Sequence, residues 1–301
     1  MGTNKNKTMK MKLTSVLAAF CFLLTGCIGG LNVNKYPINI GFRPVIGHDT
    51  RAEESVPFPE DKCFRLWAQK SLLGTMHIED ETISYNNGWF ASKSWPETEL
   101  HFEACWPTDL PTEYTRSKGI QLKDFDCSGG DVDVMLAVAE SDYEIDSLVI
   151  LRFEHILSRV EFRMLHSLSE EMSVRVKKIE MKGFALKGDY NIKYGSNWSV
   201  DDSNSSYTVY DAGETDGITI QSGKAQYVGD NFYTIPQACQ ASVEVSYDVR
   251  YGDAKWIPQV ETISSLATRW EQSKHYTYTL NLRMDKLTHT TGISSWENRV
   301  E

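Results

Sequence analysis

Three features of the sequence predict an all-β protein: segments in which apolar and polar residues alternate, turn-forming residues between those segments, and no sustained helical periodicity. Alternation with period two places successive side chains on opposite faces of a strand. Many short strands separated by turns are typical of antiparallel β-sandwiches. The length of 301 residues exceeds that of an ordinary domain and therefore predicts two sandwiches in tandem.

The chain begins with a segment that predicts export. Four lysines, the last of them Lys12, precede an apolar run over residues 13–24, and Thr25, Gly26 and Cys27 follow it. The run is too short to span a bilayer, and its charge order is that of a secretory signal. Residues 24–27 fit a bacterial lipobox, so we predict a signal peptide over residues 1–26 and a diacylglycerol on the Cys27 thiol. A plain signal peptide, with Cys27 incidental, is the alternative.

The mature chain is acidic. Without residues 1–26 it has 27 basic and 41 acidic residues, a formal net charge of −14. Nucleic-acid binding is set aside, since it needs clustered positive charge. We expect attachment to the outer membrane or cell surface through the acyl chains of Cys27, each buried CH₂ contributing about 0.8 kcal/mol.

The strands follow in order along the chain. Strict alternation predicts half-buried strands, and Lys177-Lys178 predicts a bulge in one of them; the segments are 100–104, 174–181, 243–251 and 276–284. Two more apolar runs suit inner strands of a sandwich, residues 131–138 and 147–153. Turn residues separate the strands at 86–88, 128–130, 187–189, 211–213 and 252–253. A short helix is expected near residues 262–270.

A polar, acidic segment over residues 142–146 separates two apolar strands and predicts the domain boundary. The expected order is a lipidated N-terminal segment with a removable strand over 27–52, one β-sandwich over 53–146 and a second over 147–301. Four cysteines remain in the mature domains, and they allow either two disulfides or buried free thiols: Cys63, Cys105, Cys127 and Cys239.

No motif predicts an enzyme, a cofactor or a metal. The sequence has no metal-binding histidine pair, nucleophile elbow or phosphate loop. Residues 124–133 resemble the start of a calcium loop, but Met135 stands where the closing Glu belongs. Asp131 and Asp133 are therefore interpreted as solvent-facing residues of a strand. A hydrolase with an unrecognised carboxylate pair stays open.

Two weaker surface signals concern sugars. Trp89, Trp95 and Trp106 lie close together in the sequence and are candidates for stacking on glycan rings, with core packing as the alternative. Asp146-Ser147-Leu148 fits a short O-glycosylation pattern with Ser147 as acceptor. The start of a strand is the alternative for Ser147.

Several motifs, in a fixed order behind the lipobox, resemble those of the fimbrillin family, the subunits and anchors of type V pili. The N-terminal half carries Thr-Arg-Ala at 50–52, Phe-Arg-Leu-Trp-Ala at 64–68, Trp-Pro at 95–96, Leu-His-Phe-Glu-Ala-Cys-Trp-Pro at 100–107 and Asp-Val-Asp-Val-Met-Leu-Ala at 131–137. The C-terminal half carries Leu-Arg-Phe-Glu-His-Ile-Leu-Ser-Arg-Val-Glu-Phe at 151–162, Ile-Pro-Gln at 235–237, Trp-Glu-Gln-Ser-Lys-His-Tyr-Thr-Tyr at 270–278 and Ile-Ser-Ser-Trp at 293–296.

This resemblance implies two transthyretin-like β-sandwiches and a pilus or adhesin subunit that polymerises with other pilin subunits by strand exchange. An Arg-specific protease would cut at Arg51 and remove a strand over residues 36–42, and the segment from about Lys286 would be the donor. If Arg51 is a solvated linker residue and is not cut, the protein is an anchor or a surface lipoprotein. The alternative function is a monomeric glycan-binding lipoprotein that uses the tryptophans.

The resemblance also bears on three residues of the C-terminal half. His155 and Arg159 lie in the central motif and are interpreted as packing and hydrogen-bonding groups at the domain junction. The family often has Gly where Ser273 stands.

Overall fold

The computed structural model describes residues 38–47, 55–71, 74–143, 148–192, 197–200 and 204–296, and this part of the chain contains many strands and no α-helix. The predicted all-β fold is confirmed. No helix within these ranges is long and apolar enough to cross a membrane.

The first sheet has eight strands. They are β1 (Asn39–Ile46), β2 (Val56–Pro57), β3 (Cys63–Lys70), β4 (Met76–Ser84), β5 (Trp89–Ser94), β6 (Leu100–Trp106), β9 (Met135–Ser141) and β10 (Val149–His155). The order is β2-β1-β10-β9-β6-β3-β4, and β5 pairs with β1. All neighbours are antiparallel except β1 and β10, which run parallel.

Two five-stranded sheets pack face to face in the C-terminal half. One has the order β17-β11-β21-β22, with β18 beside β11: β11 (Ser158–His166), β17 (Gln226–Tyr227), β18 (Phe232–Thr234), β21 (Lys274–Leu282) and β22 (Leu287–Ser295). The other has the order β15-β12-β19-β20, with β16 beside β12: β12 (Met172–Phe184), β15 (Ser205–Asp211), β16 (Ile218–Ile220), β19 (Ala238–Tyr251) and β20 (Ile257–Arg269). Inward-facing residues such as Phe162, Met181 and Tyr278 share one core, as sandwich strands do.

A four-stranded sheet joins residues from both halves of the chain. Its order is β14-β13-β8-β7, from β7 (Glu113–Thr115), β8 (Gly119–Asp126), β13 (Lys187–Asn191) and β14 (Asn197–Val200). The β8–β13 pairing and the β1–β10 pairing both cross the predicted boundary between residues 146 and 147. The boundary and the transthyretin-like topology stay predictions.

Most predicted strands are confirmed. The segments 100–104, 174–181, 243–251 and most of 276–284 lie in β6, β12, β19 and β21, and β12 has a register shift between Val176 and Lys178, where the bulge was expected. The predicted helix near 262–270 is wrong, because Thr262 and Ile263 pair with Glu244 and Val243 of β19.

Two other local predictions are wrong in part. The run over 131–138 is a strand only from Met135 onward, since Asp133 turns inward to a buried partner before β9 begins. Residues 187–189, expected as a turn, lie in β13, where Lys187 and Gly188 pair with Asp126 and Phe125 of β8.

Candidate functional site

The strand β1 has hydrogen-bonded neighbours on both sides. Phe42 pairs with Val149 of β10 on one side and with Trp89 of β5 on the other, and Ile46 pairs with Val56 of β2. Further along, Trp95 N donates to Ile38 O at 3.0 Å and Phe58 N donates to Pro44 O at 3.1 Å. The backbone of β1 is therefore enclosed although it is the first described strand.

The side chains of β1 fill a core. Ile40, Phe42 and Ile46 are 0, 3 and 0% exposed and belong to the cluster inside the eight-stranded sheet. The Phe42 ring meets the rings of Phe64 and Phe102 edge-on, with centroids 6.3 and 5.7 Å away. Burial of each such side chain contributes about 1.5 to 3 kcal/mol, so β1 is held mainly through three inward pockets.

The sheet curls so that β4 and β5 approach each other. Lys93 Nζ donates to His77 O at 2.6 Å, His77 Nε2 lies 2.8 Å from Ser94 O, and Ser92 N donates to Glu81 Oε1 at 2.6 Å. β1 is thus the strand between β10 and β5. Its loss would leave two rows of unpaired backbone groups beside three open apolar pockets, a slot that another strand can fill. We call this the β1 slot.

A second group of residues ties the end of the chain to the middle. His155 Nδ1 lies 2.9 Å from Asp133 Oδ1, and both residues are buried. The His155 ring stacks on Trp296 at 4.1 Å with an interplanar angle of 3°, and Tyr233 stacks on Trp296 at 5.1 Å. The interpretation of His155 as a packing and hydrogen-bonding group is confirmed. Arg159 is buried as well.

Ser273 fastens the same region. It has φ of 58°, a left-handed conformation that favours glycine, which explains why glycine is expected there. Its Oγ donates to His155 O at 2.5 Å, and Trp296 N donates to Ser273 O at 3.1 Å. The serine hydroxyl group therefore makes a hydrogen bond that glycine could not make, at a position where the backbone of a serine is strained.

Cys27, Arg51 and Ser147 lie outside the described residues. Lipidation, cleavage and O-glycosylation at these positions stay predictions.

The structure does not bring the three candidate tryptophans together as an open platform. Trp89 is 7% exposed, and its ring lies 5.7 Å from Phe58 and 5.4 Å from Phe64. Trp95 and Trp106 are partly buried against the same core. The faces of Trp89 are occupied by its neighbours, so core packing accounts for this residue.

The four cysteines of the described chain are free thiols. Burial raises the pKa of both Cys105 and Cys127 to about 12, and burial also raises the pKa of Cys239. Such thiols stay protonated near neutral pH and are poor nucleophiles.

The carboxylates of the calcium-like segment diverge. Asp126 Oδ2 binds Lys187 Nζ at 2.8 Å, whereas Asp133 is 4% exposed and turned to His155. The interpretation of Asp133 as solvent-facing is therefore wrong, because the side chain finds a buried partner. Within the described ranges no cluster of three or more potential ligands is suited to hold a metal.

Sequence reasoning missed two residues of these sites. Asp133 was missed because its partner His155 is 22 positions away. Gly41 stands inside an apolar strand, a signal that often marks a close approach by other groups, but its neighbours come from distant segments. Phe90 pairs with it directly, and Leu148 precedes the residue that pairs with Phe42.

The comparisons with known proteins give one family match and several solved structures of similar fold. The fimbrillin-like family model matches residues 50–296, and no curated protein matches the chain. A fimbrial protein from Bacteroides vulgatus ATCC 8482 superposes with a TM-score of 0.63 at 14% identity, covering 86% of this chain and 99% of that one.

Two further solved structures share the fold. A candidate cell adhesion protein from Parabacteroides distasonis ATCC 8503 gives a TM-score of 0.57 at 9% identity, with 88% of this chain and 98% of that chain covered. One from Bacteroides uniformis ATCC 8492 gives 0.54 at 14% identity, with 86% and 98% covered.

Proposed function

This chain belongs to the fimbrillin-like family, and from that premise we propose that it is a structural or anchoring subunit of a cell-surface pilus or adhesin. The observation that carries the proposal is the position of β1. It precedes Arg51 in the chain, yet it lies between two strands and fills the core of the first sheet. The shared fold with a fimbrial protein supports the same role.

The first step is export and attachment. The leader and Cys27 predict a lipoprotein, and the acyl chains would hold the mature chain on the outer membrane. An acidic mature chain is consistent with attachment through lipid rather than through charge.

The second step is strand exchange with other pilin subunits. Cleavage at Arg51 would separate β1 from the rest of the chain, and departure of β1 would expose the β1 slot. Unpaired N–H and C=O groups and empty apolar pockets are costly in water, so a strand from a neighbouring subunit would be bound in its place. A chain that is not cut would keep its lipid and serve as an anchor.

The role is proposed as non-enzymatic. The buried His155 pairs with Asp133, and its ring stacks on Trp296, which are packing and hydrogen-bonding roles. The glycan-binding alternative loses one of its three rings to the core, since Trp89 is enclosed.

Limited digestion tests the proposal. We expect an Arg-specific protease, acting on the protein made without residues 1–26, to give a new N-terminus at Ala52 and then a ladder of oligomers on a native gel. The matched control is Arg51→Lys, which keeps the charge and removes the cleavage site. Cleavage at Arg51 with a strictly monomeric product would contradict strand exchange, and cleavage elsewhere would contradict the role of Arg51.

A further inference from the structure

The β1 slot has a constraint on its outer face as well as pockets on its inner face. Gly41 points away from the core, directly opposite Phe90 of β5. A Cβ at Gly41 would lie 2.6 Å from Leu148 Cδ2 and 3.2 Å from Phe90 Cε1. Both distances are shorter than ordinary van der Waals contact, so these two side chains cover the strand where it has no side chain of its own. We call Phe90 and Leu148 the outer clamp.

The clamp makes the slot selective for register. A strand shifted by one residue would present an outward side chain where the slot has room only for hydrogen. Leu148 and Phe90 are 41 and 47% exposed and can yield a little to a methyl group. A β-branched side chain would require a larger displacement of both.

The last strand contains a glycine that its own surroundings do not require. At Gly292 of β22 the nearest atoms to an added Cβ would be Thr277 Cβ and O, both 3.8 Å away, which is ordinary contact. Glycine weakens a strand interior, so Gly292 lowers the stability of β22 without a local reason. The next residue, Ile293, is 62% exposed at the sheet edge.

We propose that Gly292 of a second copy takes the place of Gly41 under the outer clamp and so sets the register of the donor strand. This inference rests on the proposed function. With the strands running in the same direction, Ile293 then falls at the place of Phe42, Thr291 at the place of Ile40 and Thr290 at the exposed place of Asn39. Glu297 falls at the place of Ile46, so the match is confined to the first part of the slot. The paired residues Gly292-Ile293 thereby find the close cover and the pocket that β22 does not give them.

The test uses the chain cleaved after Arg51 and two labelled synthetic peptides, one of residues 38–47 and one of residues 286–301. Each labelled peptide competes with the excised segment for the slot, and the fluorescence anisotropy of the label rises when the peptide binds. The peptide of residues 38–47 measures whether the slot accepts a strand. The peptide of residues 286–301 measures whether the C-terminal strand is such a strand.

Substitutions in the second peptide then test the register. We expect Gly292→Val to weaken binding by about tenfold or more, because it overfills the clamp. The matched control, Thr290→Val, places the same valine at an outward place without a clamp, where it replaces another β-branched residue, and is expected to change binding by less than about threefold. Val favours strands over Gly intrinsically, so a slot without a clamp would give the opposite sign for Gly292→Val.

A protein variant with Phe90→Ala and Leu148→Ala provides the rescue. Both side chains are partly exposed, so their truncation leaves the inner core intact, and we expect the Gly292→Val peptide to recover most of its loss. Equal binding of the Gly292→Val and unchanged peptides would overturn the proposal. Binding of residues 38–47 without binding of residues 286–301 would overturn it too while leaving the slot in place, whereas failure of both peptides would count against strand exchange itself.

Discussion

The first and last described strands, β1 and β22, are held in opposite ways. β1 has neighbours on both sides and three side chains in the core. Among the described residues β22 is the edge of its sheet and pairs only with β21, and it exposes most of its residues after Leu287. β1 is held by packing that its own sequence supplies, and β22 is held by one ladder and by Trp296 beyond its end.

Each strand has one interior glycine, and the two glycines differ in how closely other atoms surround them. Gly41 lies under two side chains, whereas an added Cβ at Gly292 would meet only ordinary van der Waals contacts. A residue type alone therefore does not reveal its role; the atoms around its missing Cβ do. Four substitutions probe this contrast, beginning with the largest expected effect.

Phe42→Ala is expected to lower the free energy of unfolding by about 3 to 5 kcal/mol, the usual cost of emptying a buried aromatic position. The cavity would open among Phe64 and Phe102, which meet the Phe42 ring edge-on. Urea denaturation measures the change. Arg43→Ala, at an exposed position of the same strand, is the control and should stay within about 0.5 kcal/mol. A loss below 1 kcal/mol for Phe42→Ala would mean that β1 is not held by its pockets.

Trp296→Ala is expected to release β22 locally, at a cost of about 2 to 3 kcal/mol, because an edge strand opens on its own more easily than an inner one. The variant loses the stacking contacts with His155 and Tyr233. Hydrogen exchange should then quicken at the amides of β22 but not at those of β1. Trp296→Phe keeps an aromatic ring and serves as the control. Uniform quickening of both strands would show that Trp296 supports the whole fold instead.

Gly41→Val and Gly292→Val are expected to change stability in opposite directions. Overfilling the clamp should cost about 1 to 3 kcal/mol at position 41, whereas position 292 should gain about 0.5 to 1 kcal/mol from the better strand former. Thermal unfolding of the uncleaved protein measures both. The same sign for the two variants would remove the contrast between the glycines.

Much of the fold follows from the sequence because strands have a short period. The alternation over residues 243–251 and the two adjacent lysines of β12 predict a strand and its bulge from neighbours alone. The predicted helix near residue 262 was wrong because this segment forms the strand β20 through its hydrogen-bonded pairing with β19. That ladder is a contact between segments, which local periodicity does not contain.

The candidate site was predictable only in part. The position of β1 before Arg51 and the resemblance of the motifs pointed to a removable strand. The clamp could not be found, since Phe90 and Leu148 are far from Gly41 in sequence and meet it through pairing on two sides. Asp133 was misjudged for the same reason: its inward direction depends on His155, on another strand.

Acidification gives the smallest and most local test of the contrast. His166, the last residue of β11, is buried and pairs with Leu282, just before the turn into β22. Desolvation lowers the pKa of His166, outweighing a hydrogen bond with the Ile220 backbone. The folded state therefore favours the neutral ring, and the unfolded state takes up the proton first as the pH falls. Stability is retained above about pH 6.5 and declines below it.

We expect the amides at the β21–β22 end to exchange faster, relative to those of β1, at pH 5 than at pH 8 after correction for intrinsic rates. His166→Gln should remove this pH dependence, and His289→Gln, on β22 itself, should keep it; an equal response in both variants would assign the effect to another group.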